Sequence, residues 1–324
     1  MGQRGWQGGT CIDVSCHSQT VVRALRPHPE PACSARGPLE RVLWSLVVAE
    51  VEELSPTKAA PRLFWWKEVL LIGAFYMIYT FSRNRFGSAR LGDSKPTQAF
   101  DNARHLIRIE QALGLYHEHA IQHFFLSSRW FIWLWNVFYG TFHFIVTIGL
   151  FVWMYLRARP MFTKWRNAIL ATTALALVGF SLFPVMPPRL LDNTSRYGGA
   201  AIEAERNIDP FGFHDTLVEV GGLWSFSSGT MSKLSNQYAA MPSLHCAWAT
   251  WCALVGWRLT RRRWARALLV IYPFLTLFCI VVTGNHYWID GLGGLATLGI
   301  GFAIGHYFDV WNDARLARRS APTA

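Results

Sequence analysis

From Phe131 to Leu156 the chain runs for 26 residues without one Asp, Glu, Lys or Arg. Nothing else in the sequence constrains the fold as strongly. About 20 mostly apolar residues are enough to cross a bilayer as a helix. Inside lipid a helix is one of the few structures that satisfies its own backbone. Five further stretches approach this pattern, at 67–83, 167–187, 240–257, 265–283 and 286–308. The whole chain is 52% hydrophobic and 16% charged, too apolar for an ordinary soluble domain. The expectation is an all-α membrane protein, a bundle of six transmembrane helices. The last stretch carries Gly291, Gly293, Gly294, Gly299, Gly301 and Gly305, which suits close helix packing in lipid.

The net charge is +11, and its placement gives the topology. Arg157, Arg159, Lys164 and Arg166 lie between the second and third stretches. Arg258, Arg261, Arg262, Arg263 and Arg266 lie between the fourth and fifth, and Arg315, Arg318 and Arg319 follow the sixth. By parity all three clusters fall on one side, which the positive-inside rule makes cytoplasmic. Basic residues in 84–130 run against that rule, but short loops weigh more in it. No interleaving of aromatic and basic residues marks a nucleic-acid groove, so nucleic acid is excluded as a partner. The six cysteines have no metal-ligand spacing and read as free thiols.

Three regions follow. Residues 1–62 are rich in Arg, Pro, Ser and Gly without sustained periodicity, a weakly ordered cytoplasmic segment with no convincing signal peptide. Residues 63–311 form the six-span catalytic domain, and 312–324 a basic cytoplasmic tail. Within the domain, 99–126 reads as one amphipathic surface helix with Leu106, Ile109, Leu113 and Ile121 on its apolar side, lying along the outer face of the membrane. Residues 184–239 make the longest loop between spans, long enough to be functional or disordered.

Two histidines sit at the edges of apolar stretches, His245 in Met241-Pro242-Ser243-Leu244-His245 and His286 in His286-Tyr287-Trp288-Ile289-Asp290. The charge-derived topology puts both on the extracytoplasmic, or lumenal, face. A carboxylate four residues after a histidine can share its helical face and hold the imidazole. Two such histidines at one face point to phosphoryl transfer through a phosphohistidine. If Pro242-Ser243 opens a helix, its free amides and positive dipole end offer a seat for phosphate. His306, His214 and the histidines of 99–126 take no specific role. Asn136, Tyr139 and His143, spaced by three and four, share one stripe of the second stretch. They read equally as the wall of a substrate cavity or as partners in interhelical hydrogen bonds.

The motifs Pro242-Ser243-Leu244-His245 and His286-Tyr287-Trp288-Ile289-Asp290 resemble two signatures of the type 2 phosphatidic acid phosphatase superfamily. Ala239-Ala240 before the first, Thr283-Gly284-Asn285 before the second, and Pro187-Pro188-Arg189-Leu190 look more like its inositolphosphotransferase branch, which includes the fungal inositol phosphorylceramide synthases. The resemblance covers about residues 65–310. It implies that His286 attacks phosphorus, Asp290 orients it, and His245 protonates the leaving oxygen and then activates the acceptor. Ser243 and nearby amides would hold phosphate oxygens, with no cofactor and no metal. Where the phosphatase pattern has Gly and Arg, this chain has Leu244 and Ile280. Its first signature, a Lys seven residues before Arg-Pro, is here Leu182 and the reversed Pro188-Arg189. Phosphoryl oxygens still need a cation. Arg189 is the first candidate, with Arg196 and Lys233 behind it.

The leading expectation is a membrane phosphotransferase acting on a lipid phosphate or phosphodiester, with a polyol such as inositol as acceptor or donor. The alternative is hydrolysis of a lipid phosphate such as phosphatidate or a polyprenyl diphosphate. A transporter or non-catalytic membrane protein is the reading from a different class. Ionisable residues clustered at one face rather than at the midplane favour the enzyme.

Overall fold

The computed structural model describes residues 63–86, 95–223 and 237–320. Among them the chain is helical, in the order α1 (Trp65–Phe86), α2 (Lys95–Ala112), α3 (Glu118–Leu126), α4 (Arg129–Arg157), α5 (Arg159–Leu182), α6 (Pro188–Leu191), α7 (Ala200–Arg206), α8 (Thr216–Glu219), α9 (Leu244–Leu259), α10 (Arg263–Val282) and α11 (Trp288–Ser320). Four of these are long and apolar enough to cross a membrane: α4, α5, α10 and the Trp288–Asn312 part of α11. The chain is an all-α membrane protein. The remaining two stretches expected to span are α1 and α9.

α9 has only 16 residues, about 24 Å of helix at 1.5 Å per residue. It touches α4, α5, α10 and α11. Cys246, Ala247, Ala249, Trp251, Cys252, Val255 and Gly256 are buried around its circumference, as in a helix enclosed by others rather than by solvent. The indole of Trp251 donates to the carbonyl of Trp165 at 3.0 Å, and that of Trp248 to Thr173 Oγ1 at 3.1 Å. Cys246, Cys252 and Cys279 are free thiols, as expected; Cys11, Cys16 and Cys33 lie outside the described residues.

α11 lies along α5, and the glycine-rich run explains how closely. A Cβ on Gly301 would stand 2.1 Å from Thr172 Oγ1 and 2.9 Å from the Ala168 carbonyl; one on Gly294 would stand 2.3 Å from the Ser243 carbonyl. Small residues let the backbones meet where no hydrophobic effect drives helices together. Gly299 has open space beside it and takes no part. α11 continues through position 311 to Ser320. At the far end of the bundle Arg166 holds Glu68 of α1 with both carboxylate oxygens at 2.7 Å, and Asn167 donates to Asp309 of α11.

The segment 99–126 is two helices, not the single surface helix expected. Gly114 adopts φ 67°, a backbone state that favours glycine, and separates α2 from α3. The apolar stripe of α2 is not laid on lipid. Ala99, Phe100, Ala103, Leu106 and Ile107 are buried against Val185, Met186, Leu190, Leu191, Ile202, Phe213, Tyr238 and Tyr287. Ile109 and Leu113, expected on that stripe, are exposed. The long connection after α5 therefore shares a core with α2. A backbone bond stitches the two, Met186 N–H to the Ala99 carbonyl at 3.0 Å, and another, Val185 N–H to the Tyr238 carbonyl at 3.0 Å, joins the two ends of the connection. A further buried carboxyl lies in this layer. Burial and a hydrogen bond with Asp192 push Glu203 up to about 8.

Candidate active site

α10 ends in a turn that sets the backbone for His286. Gly284 has φ 67°, its N–H bonds to the Val281 carbonyl, and Asn285 N–H reaches the Ile280 carbonyl. This crossed pair is the Schellman ending, with glycine at the left-handed position. His286 N–H also bonds to the Ile280 carbonyl. Ile280, where the phosphatase pattern has arginine, is fully buried.

The next helix starts at once. Asp290, in its first turn, reaches back with Oδ2 to accept the N–H of Tyr287 at 2.9 Å, one half of a capping box. The same oxygen lies 3.3 Å from His286 Nδ1, and the Ala240 carbonyl lies 2.8 Å from that nitrogen. A ring nitrogen facing two acceptors carries the proton, so Nε2 keeps the lone pair. Both His286 and Asp290 are buried.

His245 stands in the first turn of α9. Ser243 caps that helix: its Oγ accepts from Cys246 N–H at 3.5 Å, and its own N–H donates to the Asp290 carbonyl at 2.9 Å. Its hydroxyl is thus engaged as a cap. The rings of His245 and His286 are 5.7 Å apart, inclined by 65°. Tyr139 stacks on His245 at 4.4 Å and 23°, and His143 meets it edge-on at 4.4 Å. His143 Nδ1 contacts the Tyr139 carbonyl at 3.1 Å. His245 Nε2 is buried with no hydrogen-bond partner. Tyr139 and His143, with Phe138, Tyr272, Thr276, Cys279 and Ile280, line a narrow crevice behind it.

Asn136 goes elsewhere. Its amide donates to the Thr216 and Gly221 carbonyls at 2.8 and 2.7 Å and accepts from Thr216 Oγ1 at 3.1 Å. Of the two readings left open for that stripe, Asn136 takes the structural one, tying α8 to α4.

Arg189 lies beside the histidine turn, its N–H bonded to the Gly284 carbonyl at 2.7 Å. Nε donates to Asn285 at 2.9 Å, Nη1 to Asp215 at 3.0 Å and Nη2 to Gln237 at 3.0 Å. A guanidinium has five N–H groups. Among the described residues three are used, which leaves one on each terminal nitrogen. Arg196 is exposed, over the ring of Tyr197 at 4.6 Å. Lys233 lies outside the described residues.

Sequence reasoning missed two buried glutamates. α11 begins with amide donors that have no partner within the helix. Glu118 Oε1 accepts from Trp288 N–H at 3.1 Å, and Glu110 Oε1 from Ile289 N–H at 2.9 Å. Both are fully buried, and the Oε2 of each meets no donor. Burial, and then a hydrogen bond with Glu118, push Glu110 up to about 9, although the Ile289 amide pulls the other way. The signal was present in the sequence: Glu110 follows Ala103, Leu106 and Ile107 at spacings of seven, four and three, so it lies on the buried stripe. Among the described residues no group of three or more His, Cys, Asp or Glu side chains is arranged to hold a metal ion.

The family model described as the PAP2 superfamily matches residues 104–304, a range that contains both histidines, Asp290 and the two glutamates. No curated protein and no solved structure matches the chain.

Proposed function

Because the chain belongs to the PAP2 superfamily, whose members act as phosphatase- or phosphotransferase-type enzymes on lipid phosphates, we propose that it transfers a phosphoryl or phospho-head group through a phosphohistidine on His286. One observation carries this reading. The Ala240 carbonyl and Asp290 hold Nδ1 of His286, so Nε2 is the nucleophile, with a second imidazole 5.7 Å away across the rings.

In the first step Nε2 bonds to phosphorus, the bond from phosphorus to the leaving oxygen breaks, and His245 gives that oxygen a proton. In the second, His245 takes the proton of an acceptor hydroxyl, whose oxygen bonds to phosphorus as the P–N bond breaks. Asp290 steadies the positive charge that His286 gains. The two uncommitted N–H groups of Arg189 match a pair of phosphate oxygens. The acceptor is a polyol such as inositol. The inward-facing apolar Ile280 and the Pro187-Pro188-Arg189 segment support transfer over hydrolysis. The substrate is a lipid phosphate in the bilayer, and no metal or other cofactor takes part. α1 and α9 complete six spans in a domain of residues 63–311, flanked by cytoplasmic segments 1–62 and 312–324. The basic residues at the α4–α5 and α9–α10 connections support a topology with the histidines, at the other end, on the extracytoplasmic face.

The test is turnover by purified protein in vesicles with phosphatidate or a phosphoinositide, with and without labelled inositol. His286→Ala should abolish it, and EDTA should leave it unchanged. Labelled inositol entering lipid supports transfer; release of phosphate alone supports hydrolysis. Full turnover in His286→Ala would remove the phosphohistidine, and loss on chelation restored by Mg²⁺ would reveal a metal site.

A further inference from the structure

Among the described residues no hydrogen bond or ring contact joins α2 or α3 to the rings of His245 and His286, yet each helix sends one buried carboxyl to the start of α11. Glu118 takes the amide of Trp288 and Glu110 that of Ile289, the second and third residues after His286. Asp290 takes the amide of Tyr287, just before them. The first amides of the helix are thus held by three carboxyl groups from three elements. That bonding uses one oxygen of Glu110 and one of Glu118. Their remaining oxygens are sealed from solvent and meet no donor. Two acceptors buried side by side at a helix start are stable when one proton lies between them. The helix dipole then favours the single negative charge that remains.

We propose that Glu110 and Glu118 form a proton-sharing clamp that fixes the start of α11 and so positions His286 for attack. They are positioning residues and do not touch substrate. The inference rests on the phosphohistidine reading for its kinetic half only. The titratable groups around the pair are Asp290 and Tyr287 at the start of α11 and Tyr116 between α2 and α3; Tyr116 also faces Asp192. All of these are acids, with no cation among them to stabilise a second negative charge. Loss of the Glu110 proton, near pH 9, sets two carboxylates against each other and loosens the clamp.

Glutamine separates this from a merely structural role. In Glu110→Gln the amide oxygen still accepts from Ile289, and the amide N–H does permanently what the shared proton does. Glu110→Ala removes both bonds. Two measurements on the full-length protein decide the matter. One is hydrogen-exchange protection of the 287–290 amides as a function of pH, which needs no activity. The other is the pH profile of kcat and KM on phosphatidate in phosphatidylcholine vesicles. Expected for the wild type is a fall in both protection and kcat as pH rises through about 9. Glu110→Gln should keep kcat within about threefold at neutral pH and lose that alkaline fall. Glu110→Ala should lose protection at 288–289 and about tenfold or more in kcat, roughly the worth of one hydrogen bond to a charged group, with KM unchanged. An alkaline fall that persists in Glu110→Gln, or protection at 288–289 that is unaltered in Glu110→Ala, overturns the clamp. If the exchange results hold while the wild type turns over no lipid phosphate, the clamp stands and the assigned chemistry falls.

Discussion

Replacing Asp290 by asparagine separates two roles that a carboxylate beside a catalytic histidine can have. Where the carboxylate alone fixes the tautomer, as in serine proteases, the same change costs about 10⁴-fold, because the ring turns its lone pair the wrong way. Here Nδ1 has a second and closer acceptor, the Ala240 carbonyl at 2.8 Å against 3.3 Å for Asp290. A backbone carbonyl accepts only, so Nδ1 stays protonated in Asp290→Asn. The asparagine oxygen can also still accept from Tyr287 N–H, which keeps the helix start intact. What disappears is the negative charge beside an imidazole that becomes positive. A hydrogen bond to a charged group is worth about 1.5–3 kcal/mol, so turnover should fall by roughly 10- to 150-fold. The assay is kcat at saturating lipid phosphate, with thermal unfolding to show that the variant folds. A loss of about 10⁴-fold in a folded variant would mean that the Ala240 carbonyl does not hold the tautomer, and the reasoning would fail.

Three further outcomes are expected. Gly284→Ala puts a side chain at φ 67° and its Cβ 2.6 Å from Gln122 Nε2, so it should destabilise the fold by about 1–3 kcal/mol, read as a lower unfolding temperature; an unchanged temperature would refute the requirement for glycine. Arg189→Ala should lower turnover about a hundredfold or more, with only partial recovery in Arg189→Lys, since one ammonium cannot reach Asn285, Asp215 and Gln237 together; near-normal kcat in Arg189→Ala would move the phosphate charge to another residue. Glu203 binds its proton more tightly when folded, up to about 8, than when unfolded, so its contribution is complete below pH 4.5 and is lost as pH rises through about 8; Glu203→Gln should flatten the dependence of unfolding temperature over that range, and an unaltered slope would refute it.

The parts of this molecule that the sequence makes legible are those with a local physical signature. The apolar runs announce α4, α5, α10 and α11, because lipid imposes length and composition directly. The pairing of His286 with Asp290 is legible from their spacing, although His286 precedes α11 and the contact arises because Asp290 reaches back over the helix start. α9 is harder: enclosed by four helices, it needs no more than 16 residues, and length alone does not distinguish it. The segment 99–126 departs from its sequence pattern because amphipathicity says that a face is buried, not what buries it. The same stripe that fits a bilayer surface fits the connection after α5, and Gly114 breaks the helix where the apolar pattern runs on. Asn136 illustrates the limit for polar residues. Its partners, Thr216 and Gly221, lie some eighty positions away, and no periodicity reveals a contact of that range.

Two hydrogen bonds to main-chain carbonyls described above run in opposite directions between the same two segments. His286 Nδ1 donates to the carbonyl of Ala240, and Ser243 N–H donates to the carbonyl of Asp290. Both bonds end on main-chain carbonyls within the fifty or so residues from 240 to 290, so the two segments that carry the imidazoles are tied directly to each other. The loop that carries α6, α7 and α8 contributes to neither bond. Apart from Arg189, whose N–H holds the Gly284 carbonyl, side chains of that loop can therefore change without loosening the tie between the two histidine segments.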